Sequence, residues 1–292
     1  KQQPNHTLRT HKRSRCFPFS KKLAFLHKFR AFPPTNRGMA KNIILILTLS
    51  IIVSLCASAP SEKRPQYRLR TVVIDAGHGG KDPGAIGKKV KEKEIALKVA
   101  LELGKNIKRN FPDVKVFYTR TTDRFVELQE RAAIANRNRA DLFVSIHCNA
   151  NREKSIYGTE TYTMGLHTSE GNLDVAKREN SAILLEDNHE KTYGGYDPDS
   201  PMGHILFANY QSAYLENSLR FASHVETQFA RRAGRRSRGV KQAGFIVLWK
   251  TTMPSALVEI GYLSNANEEK YLRTEEGQKN IASAIYRGFK AY

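Results

Sequence analysis

Three apolar runs organise this chain, and each ends on a side chain able to bind a metal or carry a proton. Val72-Val73-Ile74 leads through Asp75 into Gly77-His78-Gly79-Gly80, Leu142-Phe143-Val144-Ser145-Ile146 leads into His147, and Ser255-Ala256-Leu257-Val258 ends on Glu259. Such short runs, apolar without alternation, predict strands buried on both faces. Between them the period changes. Ile95, Val99, Leu103 and Ile107 recur every fourth residue and predict an amphipathic helix over 92–107. Further helices are expected over 123–138, 174–187, 213–232 and 275–289, and further strands over 114–118, 159–163 and 245–249. Strands alternating with helices predict an α/β fold, a mainly parallel twisted sheet flanked by helices. The rhythm breaks at about 167–210, where a helical segment precedes the turn-rich Gly194-Gly195-Tyr196-Asp197-Pro198; this reads as a helical insertion into a single catalytic domain.

Composition changes that picture mainly at the start of the chain. Formal net charge is +20, yet residues 1–38 hold ten basic residues and no acid. Half of the excess therefore belongs to one segment, and the high charge does not argue for a nucleic-acid partner. From Met39, Lys41 precedes an apolar stretch over 43–55, and small residues follow at 57–59. That order describes a secretory signal over about 39–59. The apolar stretch is shorter than the roughly 20 residues of a spanning helix, so no stable membrane span is expected after cleavage. Residues 1–38 are then expected to lie outside the mature protein, 60–70 to form a polar linker, and 71–292 to form the domain, exported to the periplasm or cell envelope. Leu55, large for the position before a lipidated cysteine, argues against lipidation at Cys56. Only Cys148 falls in the predicted domain, so no internal disulfide holds it.

The strand ends carry the chemistry. In open α/β sheets ligands bind outside the carboxyl ends of the strands. His78 sits in a loop that glycines make compact, but the Lys-Ser/Thr of a phosphate loop is missing, and Asp75 and Asp82 would repel phosphate. Glu92 opens the next helix and could reach both histidines; Glu94 would face about 160° around that helix, so the two cannot both serve. Two histidines and one carboxylate form a hydrolytic zinc set with a fourth position left for water. Glu259, ending an apolar strand, would act as general base and pass the proton to a leaving amine. Cys148, adjacent to His147, points to the opposite face and reads as a small buried hydrophobe.

The motifs Asp75-Ala-Gly-His78-Gly-Gly-Lys-Asp82-Pro-Gly84, Glu92-Lys93, Ser145-Ile-His147-Cys-Asn149-Ala and Glu259-Ile-Gly-Tyr-Leu-Ser-Asn265 resemble the zinc-dependent N-acetylmuramoyl-L-alanine amidases of the AmiA/AmiB/AmiC type (amidase 3), over about 71–290. The resemblance implies one zinc ion on His78, Glu92 and His147, a catalytic Glu259, and peptidoglycan as substrate, cut between N-acetylmuramic acid and L-alanine in wall remodelling, septum splitting or recycling. It selects Glu92 over Glu94. It also implies that the insertion could block the metal until an activator protein displaces it, with Glu186 as first choice of blocking ligand and Glu179 as second. Arg120, the basic segment 231–238 and Asn149 are candidates for substrate contact. Another envelope zinc peptidase or deacetylase, or a non-catalytic wall-binding protein, is the alternative reading.

Overall fold

In the computed structural model, which describes residues 36–57, 68–167, 169–197, 200 and 213–292, the apolar runs form adjacent strands of one sheet. The basic segment over 1–35, the linker and cleavage region over 58–67, and insertion residues 201–212 lie outside the described residues. The chain divides into two units, Lys1–Gln66 and Tyr67–Tyr292. In the first, α1 (Asn36–Ala57) covers the apolar stretch. Among the described residues no helix is long and apolar enough to cross a membrane.

The second unit carries six strands: β1 (Thr71–Ala76), β2 (Lys115–Tyr118), β3 (Leu142–Asn149), β4 (Thr159–Met164), β5 (Ser237–Ala243) and β6 (Ser255–Tyr262). Their order across the sheet is β2-β1-β3-β6-β4-β5. Every pairing is parallel except β4 with β6. The strands ending near His78, at His147 and at Glu259 are thus three parallel neighbours whose carboxyl ends share one edge. The centre is buried on both faces, which is why these strands lack alternation. Edge strands β2 and β5 are half-exposed and mixed in character.

Helices α2 (Glu92–Asn110), α6 (Leu215–Arg232) and α9 (Glu275–Ala291) pack on one face of the sheet. There Ile95, Val99 and Leu103 meet Val72, Ile74, Val144, Phe221, Ile281 and Ile285. The other face is covered by α3 (Leu128–Arg137), α4 (Glu170–Asn180) and α7 (Ile246–Trp249), where Val73, Phe143 and Leu257 meet Ala135, Val175, Ile183 and Leu248. A short 3₁₀ turn (Ser181–Leu185) and α5 (His189–Thr192) continue the insertion. Between β6 and α9 lies α8 (Ala266–Leu272), which sequence reading passed over although Asn265 caps it by accepting from the Asn267 and Glu268 amides.

Two expectations need correction. Residues 246–249 form a helical turn, not a strand; four consecutive apolar residues fit either, and here the turn lets Ile246, Val247 and Leu248 all enter the core. The expected helix over 174–187 ends at Asn180 and gives way to the 3₁₀ turn.

Candidate metal centre

Four elements bring four ligand atoms together. His78 follows β1 with a left-handed backbone, φ 58°. His147 lies in β3, Glu92 opens α2, and Glu179 lies in the last turn of α4. His78 Nε2 is 3.1 Å from Glu92 Oε1 and 3.0 Å from Glu179 Oε2. His147 Nδ1 is 3.1 Å and 2.9 Å from the same two oxygens, and 3.1 Å from His78 Nε2. All four residues are buried, and the four atoms lie within 4.8 Å of one another.

This is ligand geometry rather than hydrogen-bond geometry. The four short nitrogen–oxygen contacts would need four N–H donors, but each imidazole nitrogen carries at most one hydrogen. Donors about 2.0–2.1 Å from a tetrahedral zinc ion stand roughly 3.3–3.4 Å apart, close to the separations found. The donor set, two imidazoles and two carboxylates, also suits that ion. The site fits a divalent cation.

Surrounding groups fix each ligand. Asp82 Oδ2 accepts from His78 Nδ1 at 2.8 Å, leaving Nε2 to face the cluster. His147 Nε2 lies 3.1 Å from Ser145 Oγ, which donates to Asp75 Oδ2 at 2.5 Å, while Arg131 pairs with Asp75 at 2.8 Å. Glu92 accepts the backbone N–H of Ala85 and of Cys148, each at 2.7 Å. Gly77 and Gly84 supply clearance: a Cβ at Gly77 would fall 2.4 Å from the His147 ring, and one at Gly84 would fall 2.6 Å from Glu92 Oε2. Cys148 points into the core on the opposite face. Glu94 is exposed.

Glu259 stands beside the cluster as the register partner of His147 on β6. It is completely buried, and neither carboxylate oxygen has a hydrogen-bond partner. The nearest cation is Arg178, with Nη2 at 3.6 Å. Burial, with the charges of Glu179 and Glu92, pushes the Glu259 carboxyl well above its ordinary range, against the pull of Arg178.

The insertion is not arranged as first expected. Glu186 stays away from the cluster; its carboxylate accepts from the Leu128 amide and the Tyr193 hydroxyl, each at 2.7 Å, capping the start of α3. Glu179 takes the fourth position instead. It shares a helix face with the buried Asn172, Val175, Ala176 and Asn180, an i, i+3, i+4, i+7 pattern that was readable in the sequence. Arg178 then lies against Glu259, donating to Ala150 O at 2.9 Å and Asn149 Oδ1 at 3.1 Å. Asn149 is buried beside the centre.

Arg120 is not free for a ligand. It is 1% exposed and donates to the backbone oxygens of Ala76, Gly77, Lys93 and Thr122, bracing the glycine loop. A long cation placed beside a site by chain order can equally satisfy carbonyls beneath it.

Without a cation the cluster holds protons. Burial alone would depress the histidines, but the charges of Glu179 and Glu92 raise His147 to about 9, and Glu92, Asp82 and Glu179 carry His78 well up. A metal must displace these protons. At pH 7, zinc uptake by the metal-free protein is expected to release about two protons, measured by calorimetry in buffers of different ionisation enthalpy. Release near zero would show neutral imidazoles. The same shift gives the metal-free form stability present below pH 6.5 and lost as pH rises through about 9.

Fold and site together define a class, an α/β protein with a buried metal-competent centre and an adjacent acid at the ends of parallel strands. The chain belongs to the N-acetylmuramoyl-L-alanine amidase family (amidase 3), which matches residues 72–291. It is 36% identical over 244 residues to AmiC of Escherichia coli O6:H1, covering 80% of this chain and 56% of that one. It is 32% identical to AmiA of E. coli K12, covering 80% of each. Among solved structures it resembles the CwlD amidase from Clostridioides difficile in complex with the GerS lipoprotein, with a TM-score of 0.56 and 27% identity over 76% of this chain and 98% of that one.

Proposed function

We propose that the protein is an exported zinc amidase that cuts peptidoglycan between N-acetylmuramic acid and L-alanine, and that it is held latent by α4. The observation that carries this reading is the convergence of His78, Glu92, His147 and Glu179 beside an unpartnered, buried Glu259. One zinc ion in that cluster supplies an electrophile for the scissile carbonyl and makes water acidic enough to attack near neutral pH.

The chain's own groups do the rest. His78, Glu92 and His147 hold the ion and stay fixed through Asp82, the Ala85 and Cys148 amides, and Ser145. Glu259 accepts the proton of the attacking water and returns it to the departing L-alanine nitrogen. For that it must start ionised. Departure of α4 lessens the burial and removes Glu179, the two largest influences raising the Glu259 carboxyl, and this outweighs the loss of Arg178, which lowers and covers it.

Catalytic zinc keeps one position open, whereas structural zinc is closed by four protein ligands. Glu179 in the fourth position makes this site closed, hence latent. A partner protein that draws α4 aside would open it. A partner is in keeping with the amidase solved together with a lipoprotein. Wall remodelling or septum splitting follows as the cellular use, with the cell envelope as its location.

The test is a digest. Purified sacculi treated with the zinc-loaded protein, with the E179A variant alongside, are expected to release peptides whose new amino terminus is L-alanine. Release of glycans lacking acetyl groups, or of peptides cut within the stem, would replace the amidase reading with a deacetylase or a peptidase. No product and no bound metal would leave a non-catalytic wall binder.

A further inference from the structure

Beside Glu259 the sheet carries a second buried carboxylate that the amidase chemistry does not use. Glu160 on β4 is the direct antiparallel partner of Glu259 on β6. Residues so paired project their side chains from the same face of a sheet. Glu160 is 1% exposed, and five donors converge on it. Arg238 Nε, Lys241 Nζ and the Tyr262 hydroxyl reach Oε1 at 2.7, 2.6 and 2.6 Å. The Tyr162 hydroxyl and Asn149 Nδ2 reach Oε2 at 2.7 and 3.3 Å.

The count is unbalanced. Two cations share one anion, so the cluster carries a surplus positive charge one strand from the base. Five donors also exceed the roughly four lone-pair sites of a carboxylate. Arg238 gives Glu160 only its Nε. Its two terminal nitrogens, the fork that grips carboxylates in paired bonds, are not spent there. The arrangement is layered as well: the side chains of Arg238 and Lys241 are 27% and 24% exposed above a buried Glu160. Neutralising a buried acid needs one cation; here a second cation with surface access is held rigidly by tyrosines and a buried carboxylate.

We propose that Arg238 and Lys241, anchored on Glu160, form an anion subsite for a carboxylate of the peptide leaving group, beyond the L-alanine at the scissile amide. This inference rests on the amidase reading. The row Glu259, Glu160, Arg238 and Lys241 runs across β6, β4 and β5. A peptide whose amide lies at Glu259 and whose chain extends over β4 brings its next residue to the two cations. Asn149 joins this subsite to the latch, since its Nδ2 meets Glu160 while its Oδ1 accepts from Arg178. Arg238 and Lys241 would therefore set specificity rather than perform chemistry, and their loss falls on substrate recognition.

Two muramyl peptides decide it, alike except that the residue after L-alanine bears either a free α-carboxylate or its carboxamide. The full zinc-loaded chain, opened by Glu179→Ala and otherwise unaltered, is expected to cleave the acid with a kcat/KM about 10- to 100-fold above the amide, the range of a charged hydrogen-bonded pair. Lys241→Gln and Arg238→Lys are each expected to cut that preference several-fold, mainly through the KM of the acid, read as the ratio of the two substrates. Arg238→Lys keeps a positive charge over Glu160 and so guards against misfolding. Equal cleavage of acid and amide by the opened but otherwise unaltered protein, or variants that slow both substrates alike, would overturn the subsite. Cleavage of neither substrate would count against the amidase reading. Calorimetric binding of the two peptides then judges the subsite alone, with tighter binding of the acid supporting it and equal affinities rejecting it.

Discussion

Replacing Glu259 by Gln is expected to lower turnover about 100- to 10,000-fold, the usual contribution of a positioned general acid–base group, while leaving one metal ion bound per chain. The amide keeps the shape of the side chain but cannot accept a proton from water. Metal content is expected to stay unchanged because Glu259 is absent from the four-atom cluster and sits one strand over from His147. The variant is also expected to fold. The native side chain is completely buried without a hydrogen bond, and burial beside Glu179 and Glu92 already holds its carboxyl well above the ordinary range, so a neutral amide of the same shape adds no buried charge. Loss of metal together with activity would move Glu259 into the ligand set. Activity within about tenfold of the unaltered protein, well short of the range for such a base, would exclude the proposed role.

Replacing Glu179 by Ala is expected to act in the opposite direction. Its Oε2 stands 3.0 Å from His78 Nε2 and 2.9 Å from His147 Nδ1, within the same four-atom cluster as Glu92. Alanine leaves a coordination position for water. If the open form of the latched protein is populated at roughly 0.1–10%, as for ordinary two-state elements, full opening raises activity about 10- to 1,000-fold. Peptide release from sacculi without any partner protein measures it, beside zinc affinity by chelator competition. Affinity is expected to fall, because one of four ligands is lost. Unchanged zinc affinity with no gain in activity would show that Glu179 neither binds the ion nor blocks the site.

Much of this site was legible in the chain because buried parallel strands announce themselves. Val72-Val73-Ile74, the run into His147 and the run into Glu259 are apolar for packing reasons, and each is followed near the carboxyl end of its strand by a buried polar side chain. The side chain there is the one available for ligand chemistry. Glu92 was separable from Glu94 partly by helix angle and partly by family resemblance. Asp82 and Ser145, which orient the two imidazoles, were present in the quoted motifs but had no signal of their own. A histidine's partner is set by proximity in space, and short polar residues occupy such loops and strands for many reasons.

Other readings failed for identifiable causes. Glu186 attracted attention through the apolar Ile183-Leu184-Leu185 before it, yet the helix had already ended at Asn180, so that run no longer defines a helical face. Arg120 was judged by charge alone, and backbone carbonyls claimed it. Within the basic segment 231–238, a candidate for substrate contact, Arg235 pairs with Glu268 and Arg238 with Glu160.

The sequence by itself determined the sheet-and-helix architecture and pointed, with the family resemblance, to His78, Glu92, His147 and Glu259, which the fold brings together. Local periodicity and strand ends are properties of consecutive residues, and side-chain burial enforces them directly. Only the tertiary structure decided that Glu179 joins the cluster, that Arg178 lies against Glu259, and that Glu160 gathers Arg238 and Lys241 beside it. Those contacts join residues 32 to 101 positions from their ligand or strand partners, and although helical spacing marks the face that carries Glu179, no local pattern encodes what that face or those cations will meet.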